Sequence, residues 1–235
     1  SFEIANNFDD QSTSGTRFEY TRAPIVVSIT PKVGPSSGGT PITVSGARFL
    51  NSELSVCSFG EGITVPATHV SHTQVVCVTP SHGAGSVALE VSNNGQEFTA
   101  DVTMFLFEAQ LSVLALHPAI GTISGGSLIS VWGTGFVLSG SLRCRFGDIV
   151  VLASFVNSTL LNCYSPTVMS PSSLVVALEV SSNAGSDWST DSVTFTYVQD
   201  VSVTQIQPHN GVISGGTLVN VTGTGFIPGP LLRCK

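Results

Sequence analysis

The sequence predicts an all-β protein made of tandem antiparallel β-sandwiches. Three observations carry this: a repeat of nearly 90 residues, alternation of apolar and polar positions within it, and turn residues at short intervals between the alternating runs.

Three stretches align without gaps, Ile29–Phe49, Leu116–Phe136 and Ile206–Phe226. Each has a proline at its third position (Pro31, Pro118, Pro208), a Ser-Gly-Gly triplet (Ser37–Gly39, Ser124–Gly126, Ser214–Gly216) and a closing Gly-x-x-Phe (Gly46–Phe49, Gly133–Phe136, Gly223–Phe226). Gly38, Gly125 and Gly215 set periods of 87 and 90 residues. A cysteine follows each closing phenylalanine by eight residues (Cys57, Cys144, Cys234), and a second precedes a proline at Cys77 and Cys163. Leu89-Glu-Val then matches Leu178-Glu-Val, and Phe105-Leu-Phe107 matches Phe195-Thr-Tyr197. The opening segment, with Phe2-Glu-Ile-Ala-Asn-Asn7 and Phe18-Glu-Tyr20, repeats this closing portion. The expected organisation is therefore the last strands of one module in 1–23, complete modules in 24–109 and 110–199, and the first strands of another in 200–235.

Within the unit, Ile42–Val44, Leu128–Val131, Val87–Val91 and Val175–Val180 alternate as half-buried or buried strands do. Ser37–Gly39 supplies the positive-φ freedom of a tight turn. Asn93–Gly95 and Asn183–Gly185 read as hairpin-type connections. Pro31, Pro118 and Pro208 stand where a first strand stops donating to its ladder. No helical periodicity persists, and about seven strands are expected per unit.

The order Ile/Leu-x-Pro, Gly, Ser-Gly-Gly, β run, Gly-x-x-Phe, Cys-x-Phe-Gly, Cys-x-x-Pro resembles the IPT/TIG domain. This is the immunoglobulin-like module of plexin and hepatocyte-growth-factor-receptor ectodomains and of fibrocystin-like proteins. The resemblance runs along the entire chain and implies fold more than function. The third copy stops at Lys235, before its Phe-Gly and its second cysteine. Five cysteines would ordinarily flag an unpaired thiol, but the repeat accounts for the odd number. Cys57 with Cys77 and Cys144 with Cys163 form equivalent pairs, and the partner of Cys234 is expected beyond the chain end. Such pairing belongs to an oxidising, extracellular compartment; the competing reading is buried thiols in a cytosolic protein. Zinc is disfavoured, because no Cys-x-x-Cys or neighbouring histidine pair completes a ligand set.

Charged residues make up only 10% of the chain, against roughly 25% in ordinary globular proteins. Serine and threonine supply about a quarter instead. Such a surface is either neutral and hydroxyl-rich or covered, by glycans or by neighbouring subunits. Net charge is −7 and Lys32 and Lys235 are the two lysines, so the electrostatic footprint of a nucleic-acid binder is absent. No apolar run approaches the roughly 20 residues of a membrane span, so no direct membrane insertion is expected. Ser1 opens a strand-like segment rather than a secretory leader.

Two N-glycosylation sequons occur, Asn157-Ser-Thr159 and Asn220-Val-Thr222. Asn220 alternates with Val219 and Val221, which turns it to solvent; Asn157 falls at a loop or strand end. Ser170–Ser173 and Ser12–Ser14 are candidate O-glycan clusters or plain polar loops. His69, His72 and His82 match no common metal-ligand spacing and read as loop residues. Asp9, Asp10, Asp101, Asp187 and Asp191 recur near one hairpin, but calcium requires several convergent oxygens. No nucleophile elbow, phosphate loop or shared histidine–acid pair is present, and no cofactor is expected.

The expected function is that of a non-catalytic extracellular structural protein, a glycosylated array forming a fibre, filament or cell-surface stalk. Its partners would be copies of itself or neighbouring modules, together with covalent glycans. The joints Thr21–Pro24, Glu108–Gln110 and Val198–Asp200 are too short for flexible linkers. One alternative is spacer modules of a receptor or adhesion ectodomain. A second is an accessory module of a carbohydrate-active enzyme, for which Trp132, standing where the other copies have Ser45 and Thr222, is the candidate sugar platform. Completion of one chain's last module by another chain's opening strands is disfavoured, since the counterpart of Phe146–Ala177 would be missing.

Overall fold

The computed structural model describes residues 18, 20–60, 62–101, 103–170, 172–191, 193–226 and 232–234. The reading of 1–17 as closing strands, with Asp9, Asp10 and Ser12–Ser14, lies outside the described residues.

The first repeat unit contains β1 (Ile25–Thr30), β2 (Val33–Pro35), β3 (Pro41–Ala47), β4 (Val56–Phe59), β5 (Thr64–Ser71), β6 (Gln74–Val78), β7 (Gly85–Ser92) and β8 (Thr103–Glu108). The second contains β9 (Ser112–His117), β10 (Ile120–Thr122), β11 (Leu128–Thr134), β12 (Arg143–Phe146), β13 (Ile149–Asn157), β14 (Leu160–Tyr164), β15 (Leu174–Ser181) and β16 (Thr194–Val198). β17 (Ser202–Gln207) and β18 (Asn220–Thr224) form a two-stranded sheet that repeats the pairing of β1 with β3 and of β9 with β11. The strands hydrogen-bond in the order β1-β3-β6-β5-β4-β7-β8-β2, and its counterpart runs β9-β11-β14-β13-β12-β15-β16-β10. By Cα packing the described residues divide into two compact units, one taking those up to Thr30, within Pro41–Pro80 and within Val87–Met104, the other those within Pro31–Thr40 and Ser81–Ser86 and those from Phe105 on.

Each order is a two-layered sandwich joined through one long strand. In β5, Thr64–Pro66 pair with β4 while Ala67–Ser71 pair with β6. In β13, Ile149–Leu152 pair with β12 and Ala153–Asn157 with β14. The eighth strand is the short β2 or β10, whose three residues run parallel to β8 or β16. The expectation of about seven antiparallel strands is met except for this added short parallel strand. A three-residue parallel strand containing glycine has no alternation to read. Asn93–Gly95 and Asn183–Gly185 open the connections expected there, from β7 to β8 and between the antiparallel β15 and β16, but these are longer than a two-residue hairpin turn. Ser92 and Ser181 set the turns, each Oγ accepting from the amide two residues on, Asn94 at 3.2 Å and Asn183 at 3.2 Å. Both loops then return to the strand they left. Thr99 N donates to Val91 O while Thr99 Oγ1 accepts from Val91 N, and Ser189 makes the same pair of bonds with Val180.

Inward positions follow the alternation. Ile42 and Val44 on β3, and Ile129 and Val131 on β11, are fully buried. In the second repeat Ile129 and Val131 join Val113, Phe136, Leu142, Phe146, Leu161, Leu178, Val180, Phe195 and Tyr197 in one core. Burial of each large side chain stabilises by roughly 1.5–3 kcal/mol. Phe195 meets Phe146 edge-on at 5.2 Å and Tyr197 edge-on at 4.9 Å, the geometry favoured by ring quadrupoles.

The Tyr197 hydroxyl is buried without a hydrogen-bond partner, whereas the first repeat has Phe107 at this place. Burial pushes its pKa up from 10.0 to about 12. Between those values the folded chain keeps a proton that the unfolded chain releases, so stability falls as pH rises through that window. Relative to neutral pH the loss approaches about 2–3 kcal/mol at the top of it. Tyr197→Phe is expected to raise stability by about 1 kcal/mol at pH 7, by removing an unsatisfied hydroxyl, and to abolish this alkaline component. Urea melts of both proteins from pH 8 to 12 measure both effects; equal slopes against pH would refute the second.

Candidate functional site

Cys57 lies on β4 and Cys77 on β6, in opposite layers, and they are bonded with their Cα atoms 6.4 Å apart. Cys144 on β12 and Cys163 on β14 are bonded in the same way at 6.5 Å, within the span such bridges take. All four are buried, whereas Cys234 is exposed and free.

The aspartates recur because they hold the first strands. Asp101 Oδ2 accepts from Val26 N at 2.9 Å. In the second repeat Asp191 Oδ2 accepts from Val113 N at 2.6 Å and Oδ1 from Ser112 Oγ at 3.0 Å. Asp187 has another role within the second compact unit. Its Oδ2 accepts from Thr40 Oγ1 at 2.7 Å and from Asn183 Nδ2 at 2.6 Å, and the same Asn183 amide donates to Val33 O at 3.0 Å. These carboxylates are satisfied by N–H and O–H donors, and none meets another to form a cation cage. Among the described residues no group of three or more His, Cys, Asp or Glu converges as metal ligands. His82 stacks on Phe107 at 4.8 Å.

Both sequons are exposed, Asn157 ending β13 and Asn220 starting β18. Asn157 Oδ1 accepts from Thr159 N and Oγ1, both at 2.9 Å. Trp132 is 40% exposed on β11. Trp188 is not a free platform, because the Arg145 guanidinium lies 4.5 Å over its ring and also donates to Glu179, at 2.8 Å through Nε. Sequence patterning does not reveal this Arg–Trp–Glu stack or the Asn183–Asp187 bracket. Their members come from separated strands and loops and make no local pattern.

A small open cleft bordered by Pro35, Leu111, Asp187 and Trp188 has a volume of about 30 Å³, room for one water molecule. A wider concavity lined by Val201, Val203, Ile206, Val221 and Phe226 is the apolar inner face of the β17–β18 sheet. Glu108, Ser182 and Ser189 also line the first of these.

Disulfide-braced sandwiches that repeat their bracing bonds define a class of immunoglobulin-like modules. The chain belongs to the IPT/TIG domain family, whose sequence pattern matches residues 24–105 and 111–197. It is 25% identical over 240 residues to human Plexin-A3, covering 97% of this chain and 12% of that protein. It is 27% identical over 224 residues to zebrafish (Danio rerio) Plexin-A4, covering 90% of this chain and 12% of that one. The chain thus spans about an eighth of the length of these relatives. Among solved structures the full extracellular region of Plexin A4 superposes with a TM-score of 0.52 at 20% identity, over 90% of this chain and 18% of that one, a likeness of fold.

Proposed function

We propose that the chain is a run of spacer modules in the ectodomain of a cell-surface receptor or adhesion protein, extracellular and without catalytic activity of its own. The observation that carries this is similarity along 97% of the chain to Plexin-A3, a likeness that spans module after module rather than one motif. The two disulfides support an oxidising compartment. In the described residues no helix is long and apolar enough to cross a membrane. The partners are neighbouring modules and covalent glycans. The fibre or filament reading rests on the short joints between modules, which suit a receptor stalk equally well, and on the charged fraction of 10%, a deficit that glycans also account for. The relatives therefore favour the receptor spacer.

The test is surface biotinylation of intact cells expressing the full-length protein, followed by electron microscopy of the extracted material. Labelled, separate, membrane-anchored particles are expected. Ordered fibres would restore the structural-polymer reading, and a protein protected inside the cell would refute both.

A further inference from the structure

We propose that Asn157 carries an N-linked glycan whose first sugars lie over Leu160 and Trp132 on the outer face of the β13–β14–β11 layer. The proposal rests on the extracellular reading above and goes beyond it in naming the site and what covers it.

The pairing register builds the site. Asn157 is directly opposite Leu160, Leu160 opposite Trp132, and Trp132 opposite Ala115. Directly paired residues share a sheet face, so the four side chains form one row across four strands. Two strand spacings put Trp132 about 10 Å from Asn157, within reach of a disaccharide core. The Asn157 carbonyl is taken up by Thr159, while the amide nitrogen donates to no protein group among the described residues and the residue is exposed.

The first repeat supplies the comparison. Its equivalent row is Ser71, Gln74, Ser45 and Ser28, paired in the same sequence across β5, β6, β3 and β1. There the row is polar throughout and no sequon is present. In the second repeat asparagine replaces the serine at the head of the row, and leucine, tryptophan and alanine replace its neighbours. The adjacent row, Ser154, Asn162, Ser130 and His117, is polar again, with Ser130 Oγ donating to Asn162 at 3.1 Å. The apolar strip beside Asn157 thus runs extended across the strands, bordered by a polar row and widened at its two ends by the exposed bulge residues Val156 and Leu114. That shape suits a linear saccharide laid from its own attachment point. The C–H face of an N-acetylglucosamine covers indole and leucine surface that water otherwise meets.

The attachment is a group transfer from a lipid-linked pyrophosphoryl oligosaccharide. The Asn157 Nδ2 forms a bond to C1 of the reducing-end N-acetylglucosamine, the C1–O bond to pyrophosphate breaks, the lipid pyrophosphate leaves, and one amide proton is released. Asn220 is the internal control. Its cross-strand partner is Gln207, and Thr222 stands where Trp132 does, so a glycan there has no aromatic surface to cover.

The test uses the chain secreted from cultured animal cells. Peptide mapping after amidase deglycosylation is expected to find Asn157 converted to aspartate. Acrylamide quenching of tryptophan fluorescence is expected to increase when the glycan is removed enzymatically from the folded protein, and likewise in Thr159→Ala. The second repeat should melt about 2–4 °C lower without the sugar. In a Trp132→Ser background neither change should appear, and Thr222→Ala should produce neither. A secreted chain with unmodified Asn157, or unchanged quenching on deglycosylation, overturns the proposal and leaves the extracellular reading standing. A chain whose cysteines stay reduced in the cytosol overturns both.

Discussion

Gly133→Ala is expected to destabilise the second repeat by about 3 kcal/mol, the upper end of the usual overpacking range, because the groups it meets cannot move aside. A Cβ at Gly133 would lie 2.0 Å from the carbonyl oxygen of Ser112 and 2.5 Å from Cζ of Phe136. The carbonyl belongs to β9, whose next residue, Val113, is paired with Gly133 itself. The clash therefore cannot be relieved without opening that pair. The phenylalanine ring is buried and has no space to retreat. The same approach recurs at Gly46, 1.9 Å from Ile25 O, and at Gly223, 1.9 Å from Ser202 O. Gly-x-x-Phe is thus one packing device: the ring folds back over the glycine, and the first strand passes against it. Gly126 is the contrast. It has a φ of +76° and a Cβ there would meet nothing within 4 Å, so Gly126→Ala meets only left-handed backbone strain, on the order of 1–2 kcal/mol. Thermal and urea unfolding of the two variants should separate them clearly. If Gly133→Ala costs no more than Gly126→Ala, the close approach of β9 to β11 is not the constraint.

Replacing Cys144 and Cys163 together by alanine is expected to remove about 3 kcal/mol, the chain-entropy value for a bridge of this loop length, and roughly 1 kcal/mol more from the vacated core volume. The bridge joins β12 of one layer to β14 of the other, with a sequence separation of 19. Its sulfurs sit inside the core cluster beside Phe146 and Leu161. The first-repeat bridge closes a separation of 20, so Cys57→Ala with Cys77→Ala should cost the same to within about 0.5 kcal/mol. Calorimetry of the oxidised, reduced and substituted proteins measures this. A reduced wild type that melts with the oxidised protein would show that the bridges add nothing to the packing.

The expected sandwich fold reappears strand by strand because alternation and turn residues are local properties. Ile42–Val44 lies within β3, Leu128–Val131 within β11, and Pro31, Pro118 and Pro208 each follow the last residue of a first strand. The candidate sites are less legible. Asp101 and Asp191 stand out by their recurrence, but recurrence does not distinguish a cation ligand from a carboxylate that receives a strand amide. Asn157 is visible as a sequon, whereas its alignment with Leu160 and Trp132 depends on two pairing registers and a bulge between Phe155 and Asn157. The receptor-spacer reading also gains over the fibre from the relatives and not from composition, since a low charge content follows equally from lateral packing and from sugar.

The sequence by itself determined the repeat, the inward positions of each strand and which cysteines recur together. Each of these is encoded within a few residues or copied at a fixed period. Only the tertiary structure decided that β5 and β13 pass from one layer to the other, that β2 and β10 pair in parallel with the last strands, and that Gly46, Gly133 and Gly223 are steric necessities. Those features arise where chain segments far apart in sequence approach within van der Waals distance. A hydrophobic pattern specifies which face of a strand turns inward and leaves open which backbone it will meet there.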